Sequence, residues 1–147
     1  PSHAALRAQL SRVPALNGSA ILFACHSTPR NLPPAFHATR PASNIGPYMG
    51  VTCAPAIATA ATVICNSAAG YTTTVNGRFK GGWTTRHYGQ PASGIHAIQL
   101  ELAQSTYLQD EAALWTYDDA KADRLRPHLT EILTALAELT PTLRGTS

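Results

Sequence analysis

The first hundred residues of this 147-residue chain contain no aspartate or glutamate. All eight carboxylates, Glu101, Asp110, Glu111, Asp118, Asp119, Asp123, Glu131 and Glu138, fall in residues 101–147. Seven of the eleven Lys and Arg precede residue 101, so that stretch carries +7, while the remainder sets four bases against eight acids within an overall charge of +3. A basic segment raises nucleic acid as a partner, but the bases are scattered and only Arg78, Lys80 and Arg86 cluster, which weighs against it. Cysteine is scarce too: Cys25, Cys53 and Cys65 are odd in number and lack CxxC spacing. That argues against a disulfide framework and a thiolate zinc knuckle, and a reduced, cytoplasmic setting is expected. No apolar run approaches the roughly 18–20 residues of a membrane span, and no basic start leads into an apolar signal core. No GxSxG elbow occurs, and His26 does not open an HxxE or HxxxH pair.

What is present reads as one α/β domain over residues 1–147. Leu6, Leu10, Val13 and Leu16 stand at helical spacing before the stop Asn17-Gly18. Ala20 to Cys25 is a continuous apolar run opening into His26-Ser27-Thr28, the pattern of a buried parallel strand. Residues 29–52 are rich in Pro, Gly, Asn and Ser and read as a long loop. Pro55 opens an alanine-rich helix ending near Gly70, Tyr71–Val75 reads as a strand, and Asn76-Gly77 as a turn. Residues 78–94 read as a second, glycine-rich and cationic loop. Ile95–Leu102 alternates, with His96, Ile98, Leu100 and Leu102 on one face and Ile95, Ala97, Gln99 and Glu101 on the other. Asp118-Asp119 leads a final helix whose leucines run to Leu139, with Pro127 placed to bend it. This order predicts a largely parallel sheet with flanking helices and a ligand site beyond the carboxyl ends of the strands.

His26 at a strand end is either a metal ligand or a hydrogen-bonded rim histidine. Glu101 in an apolar strand is either a general base or half of a structural ion pair. Arg86-His87, with Arg78 and Lys80, is either a fork for a carboxylate or solvated charge. His96 either orients a reacting group or fills a polar gap. Cys25 points to the opposite strand face from His26, which argues against a Cys/His nucleophile pair.

The block Asn76-Gly77-Arg78-Phe79-Lys80-Gly81-Gly82-Trp83-Thr84-Thr85-Arg86-His87-Tyr88-Gly89-Gln90-Pro91, continuing through Gly94-Ile95-His96-Ala97-Ile98-Gln99-Leu100-Glu101-Leu102, resembles the N-formylglutamate amidohydrolase (deformylase) family. The likeness extends to Cys25-His26-Ser27, Asn44-Ile45-Gly46, Gly50-Val51-Thr52-Cys53 and Gln104-Ser105-Thr106-Tyr107. It implies a zinc-carboxypeptidase-like (phosphorylase/hydrolase-like) α/β fold. The implied activity is zinc-dependent release of formate from N-formyl-L-glutamate in histidine degradation. It makes His26 a zinc ligand, Glu101 the catalytic base and Arg86 a clamp for a substrate carboxylate; His96 joins Glu101 as a catalytic candidate, and Arg78, Asn76 and Asn44 join Arg86 as substrate-binding candidates. The match is to the C-terminal portion of the family, so the fold is expected to be incomplete, with a missing N-terminal half or a homo-oligomeric partner supplying further metal ligands. Ala24, Ala42 and Met49 stand where the family carries acids. The alternative is a catalytically silent domain that binds a small dicarboxylate or pairs with a chain supplying the missing half.

Overall fold

The computed structural model describes residues 2–29, 40–111 and 114–143. The chain opens with helix α1 (Ser2–Asn17), which Gly18 closes by placing a left-handed residue (φ 80°) after it. Strand β1 (Ala20–Thr28) follows, then β2 (Ser43–Gly46), α2 (Pro55–Ser67), β3 (Thr73–Val75), α3 (Trp83–Tyr88), β4 (Ile95–Ala103) and α4 (Asp119–Leu139). Pro55 occupies the first turn of α2, where its missing N–H costs nothing. Asp118 caps α4 by accepting from the Lys121 backbone N–H at 2.9 Å, and the helix runs on through Pro127.

The four strands form one sheet in the order β1-β4-β2-β3. The pairs β1/β4 and β2/β3 are parallel, but β2 runs antiparallel to β4. The sheet is therefore mixed, which corrects the expectation of a largely parallel one. Strand β2 lies inside the segment read as a loop, and residues 30–39 of that segment fall outside the described residues. The second loop contains α3, which carries Trp83 to Tyr88 across the sheet.

Period-2 alternation divides the sheet into two unlike faces. Ile98 and Leu100 of β4 join Ile45 of β2 in a core with Ile57, Ile64, Ile132 and Leu136 from α2 and α4. Ile21 and Phe23 of β1 pack against the same core. The opposite face carries Gln99 and Glu101, and α3 with the glycine-rich segment before it lies over that side. The apolar face holds the fold together, so the other face is free to carry polar chemistry.

Candidate active site

Strand register sets a polar row across the second face. His26 on β1 is opposite Glu101 on β4, Glu101 is opposite Asn44 on β2, and Asn44 is opposite Thr74 on β3. In-register residues share a face, so four side chains remote in sequence become neighbours.

Glu101 is only 6% exposed, a costly place for a carboxylate. Its Oε2 accepts from Gln99 Nε2 at 3.0 Å, and Gln99 Oε1 accepts from the Gly82 backbone N–H at 2.8 Å. The two bonds fix the orientation of the Gln99 amide, because only its nitrogen can donate to a carboxylate. The second oxygen, Oε1, is buried with no hydrogen-bond partner among the described residues. A buried acceptor in that state is short of a donor, such as a water or a ligand group.

Two cavities meet at this carboxylate. An open cleft of about 310 Å³ is bordered by His26, Gln99, Glu101, Gly82 and Trp83. A smaller cavity of about 40 Å³ is bordered by Arg40, Asn44, Arg78, Phe79 and Glu101. They share Thr28, Phe79 and Glu101 as a common wall. Asn44 is clipped to Phe79 on both sides: its Nδ2 donates to the Phe79 carbonyl at 2.6 Å, and its Oδ1 accepts the Phe79 N–H at 3.4 Å.

The candidates named from sequence divide accordingly. His26, Glu101, Asn44 and Arg78 come together around the two cavities. Arg86 borders neither: its guanidinium lies over the Tyr48 ring at 5.3 Å, and its Nε donates to the Gly82 carbonyl at 3.4 Å. Asn76 holds a left-handed turn position (φ 52°) and accepts the Met49 N–H at 3.0 Å through Oδ1, a turn-stabilising arrangement. His96 is buried on the opposite face, where Nδ1 accepts the Ala54 N–H at 3.2 Å and burial lowers its pKa. The structure thus separates His96 from Glu101 by the thickness of the sheet, as their odd and even positions on β4 require. Gln99, Phe79 and Arg40 enter the site unannounced. Gln99 was legible as the same-face neighbour of Glu101, whereas no local signal marks Arg40 or Phe79.

Chain-wide comparison supplies the family. The model of the N-formylglutamate amidohydrolase family matches residues 1–108. The chain belongs to the N-formylglutamate amidohydrolase family. It is 43% identical over 136 residues to an N-formylglutamate deformylase of Pseudomonas putida and 42% identical to one of Pseudomonas aeruginosa. Each alignment spans 92% of this chain and 51% of the relative, so the chain spans about half the length of the curated relatives it matches. The crystal structure of an N-formylglutamate amidohydrolase from Ralstonia eutropha JMP134 superposes with a TM-score of 0.76 at 20% identity. That superposition covers 97% of this chain and 51% of the other, and it shows the shared fold.

The zinc that the family resemblance implies asks for three protein ligands in a hydrolytic centre. Among the described residues no group of three His, Cys, Asp or Glu is placed to hold a metal ion. The described residues therefore do not fit such a centre by themselves. Among them, too, no helix is long and apolar enough to cross a membrane.

Proposed function

We propose that the Glu101 face is the acid–base part of a site that hydrolyses N-formyl-L-glutamate to glutamate and formate. The observation that carries this reading is the buried, unpartnered Oε1 of Glu101 at the junction of two cavities. Glu101 Oε1 takes a proton from a water as the water oxygen adds to the formyl carbon. The tetrahedral adduct breaks its C–N bond, the proton passes from Glu101 to the departing nitrogen, and formate and the free amino acid leave. Gln99 keeps the carboxylate aimed throughout through its bond to Oε2. His26, opposite Glu101 in register, is the residue of this row that would serve as a zinc ligand while Glu101 handles the proton. In this reading further ligands come from outside the described residues or from another chain, and the reaction belongs to the end of histidine degradation in a reduced, cytoplasmic setting, in keeping with three free cysteines.

A second reading is favoured by the absence of a three-ligand group among the described residues: a silent domain that binds dicarboxylates. Formate release from N-formyl-L-glutamate in zinc-supplemented buffer separates the two. The first reading expects turnover that Glu101→Gln lowers by about 10²- to 10⁴-fold, the usual contribution of a positioned acid–base group. Turnover equal in the variant overturns the role of Glu101, and no formate from the unaltered chain selects the silent domain.

A further inference from the structure

The smaller cavity contains a cation that neither the sequence pattern nor the hydrolytic step uses. Arg40 lies just before β2, partly buried, with its guanidinium carbon 5.0 Å from the centre of the Phe79 ring. That stacking is the favoured packing of a planar cation on an aromatic face. Phe79 is itself held at both backbone polar groups by Asn44, so the ring that carries Arg40 is anchored to the central strand. The guanidinium is pre-positioned before anything binds. Its Nε is buried and has no hydrogen-bond partner among the described residues. Glu101 borders the same cavity, yet its Oε1 is also unpartnered, so the two groups do not satisfy each other there. A buried guanidinium N–H without an acceptor is as incomplete as the Glu101 oxygen.

The missing acceptor has a definite chemistry. The cavity, about 40 Å³, has room for one small group such as a carboxylate and is bordered by Arg40 and Arg78 against the single acid Glu101. It lies on the side of Glu101 away from His26, and so receives a part of the substrate remote from the reacting formyl group. In an N-formyl amino acid the α-carboxylate is next to the scissile amide nitrogen, whereas a side-chain carboxylate reaches further. We infer that Arg40 is the specificity-determining residue for an acidic side chain, receiving the side-chain carboxylate of an N-formyl amino acid while Glu101 faces the formyl group. This assignment rests on the reading of the Glu101 face as the substrate site. It gives Arg40, rather than Arg86 on the Tyr48 ring, the part of carboxylate holder.

Calorimetric titration of the full chain carrying Glu101→Gln, in which turnover is blocked, tests it with two ligands of equal size, N-formyl-L-glutamate and N-formyl-L-glutamine. The host is expected to prefer the glutamate derivative by about 10- to 100-fold, the range of a charge-assisted bond to a carboxylate. Adding Arg40→Leu should erase that preference, lowering affinity for the glutamine derivative by no more than about 2- to 10-fold, the value of a neutral hydrogen bond. Arg40→Lys, which keeps the charge but loses the planar fork, should restore part of the preference, and it carries the test if the leucine variant does not fold. An unchanged preference in a folded Arg40 variant overturns the assignment alone. Failure of the host to bind either ligand overturns the substrate-site reading and the assignment with it.

Discussion

Substituting Gly77 by alanine tests whether the Asn44 clip organises the site. An added Cβ would lie 2.7 Å from Asn44 Oδ1, 2.7 Å from Thr74 Cγ2 and 3.2 Å from Thr74 Oγ1. Neither neighbour can retreat cheaply. Asn44 is buried in a strand paired on both sides and bonded to the Phe79 carbonyl, and Thr74 is β-branched and stiff at χ1. Overpacking of this kind costs about 1–3 kcal/mol, and loss of the Asn44–Phe79 bonding about 1 kcal/mol more. A combined cost of about 2–4 kcal/mol corresponds to a fall in Tm of roughly 5–15 °C for a chain of this size. Gly70→Ala is the matched control: Gly70 has φ +84° and open space around its missing Cβ, so only the left-handed backbone penalty of about 1–2 kcal/mol applies. Thermal unfolding followed by circular dichroism reads both variants. If Gly77→Ala melts with Gly70→Ala or above it, the contacts around Asn44 do not carry the stability assigned to them.

Three further outcomes follow from the same geometry. Burial pushes the Cys53 thiol up to about 11 and raises Cys65 and Cys25 as well, but only Cys25 is exposed, so a thiol reagent at neutral pH should label Cys25 first and the other two only on unfolding. Early labelling of all three would contradict the packing of α2. Burial holds His96 below its ordinary value of 6.5, so the folded state favours the neutral ring: stability is complete above pH 6.5 and declines as pH falls below it. His96→Gln should flatten that decline in denaturant titrations between about pH 7 and 5, and an unchanged slope would place the acid sensitivity elsewhere. Ala24 is opposite Gln99 and shares the His26 face, so Ala24→Asp adds a carboxylate beside the histidine and should raise zinc affinity by about 10- to 100-fold. An unchanged zinc titration removes Ala24 from the metal question.

The long, strongly patterned elements were legible because their own residues specify them. Helices α1, α2 and α4 and strands β1 and β4 fall where apolar spacing, Pro55, Asn17-Gly18 and Asp118 place them. Strand β2 was not legible, since Ser43–Gly46 has one large apolar residue in four and owes its strand to pairing with β3 and β4. Its direction, and with it the mixed sheet, is a tertiary outcome that no local period encodes. Helix α3 was hidden by the glycines before it: Gly81, Gly82 and the following Gly89 read as loop, although Trp83–Tyr88 close a short helix between them. In the site, alternation along β4 already separated Glu101 from His96 and paired it with Gln99. Arg40 escaped because its role depends on an aromatic ring thirty-nine positions away, on a segment that Asn44 ties to the central strand.

The location of the ligand is the most direct test of the account. Amide chemical-shift mapping of the chain during titration with N-formyl-L-glutamate should move Gly82, Gln99, Glu101 and Phe79, which border the two cavities at Glu101. Resonances of Lys121, Arg124 and His128, which line a separate cavity beside α4, should stay in place. Shifts confined to the α4 cavity, with the Glu101 face silent, would contradict the claim that the polar row His26–Glu101–Asn44 is where this chain meets its substrate.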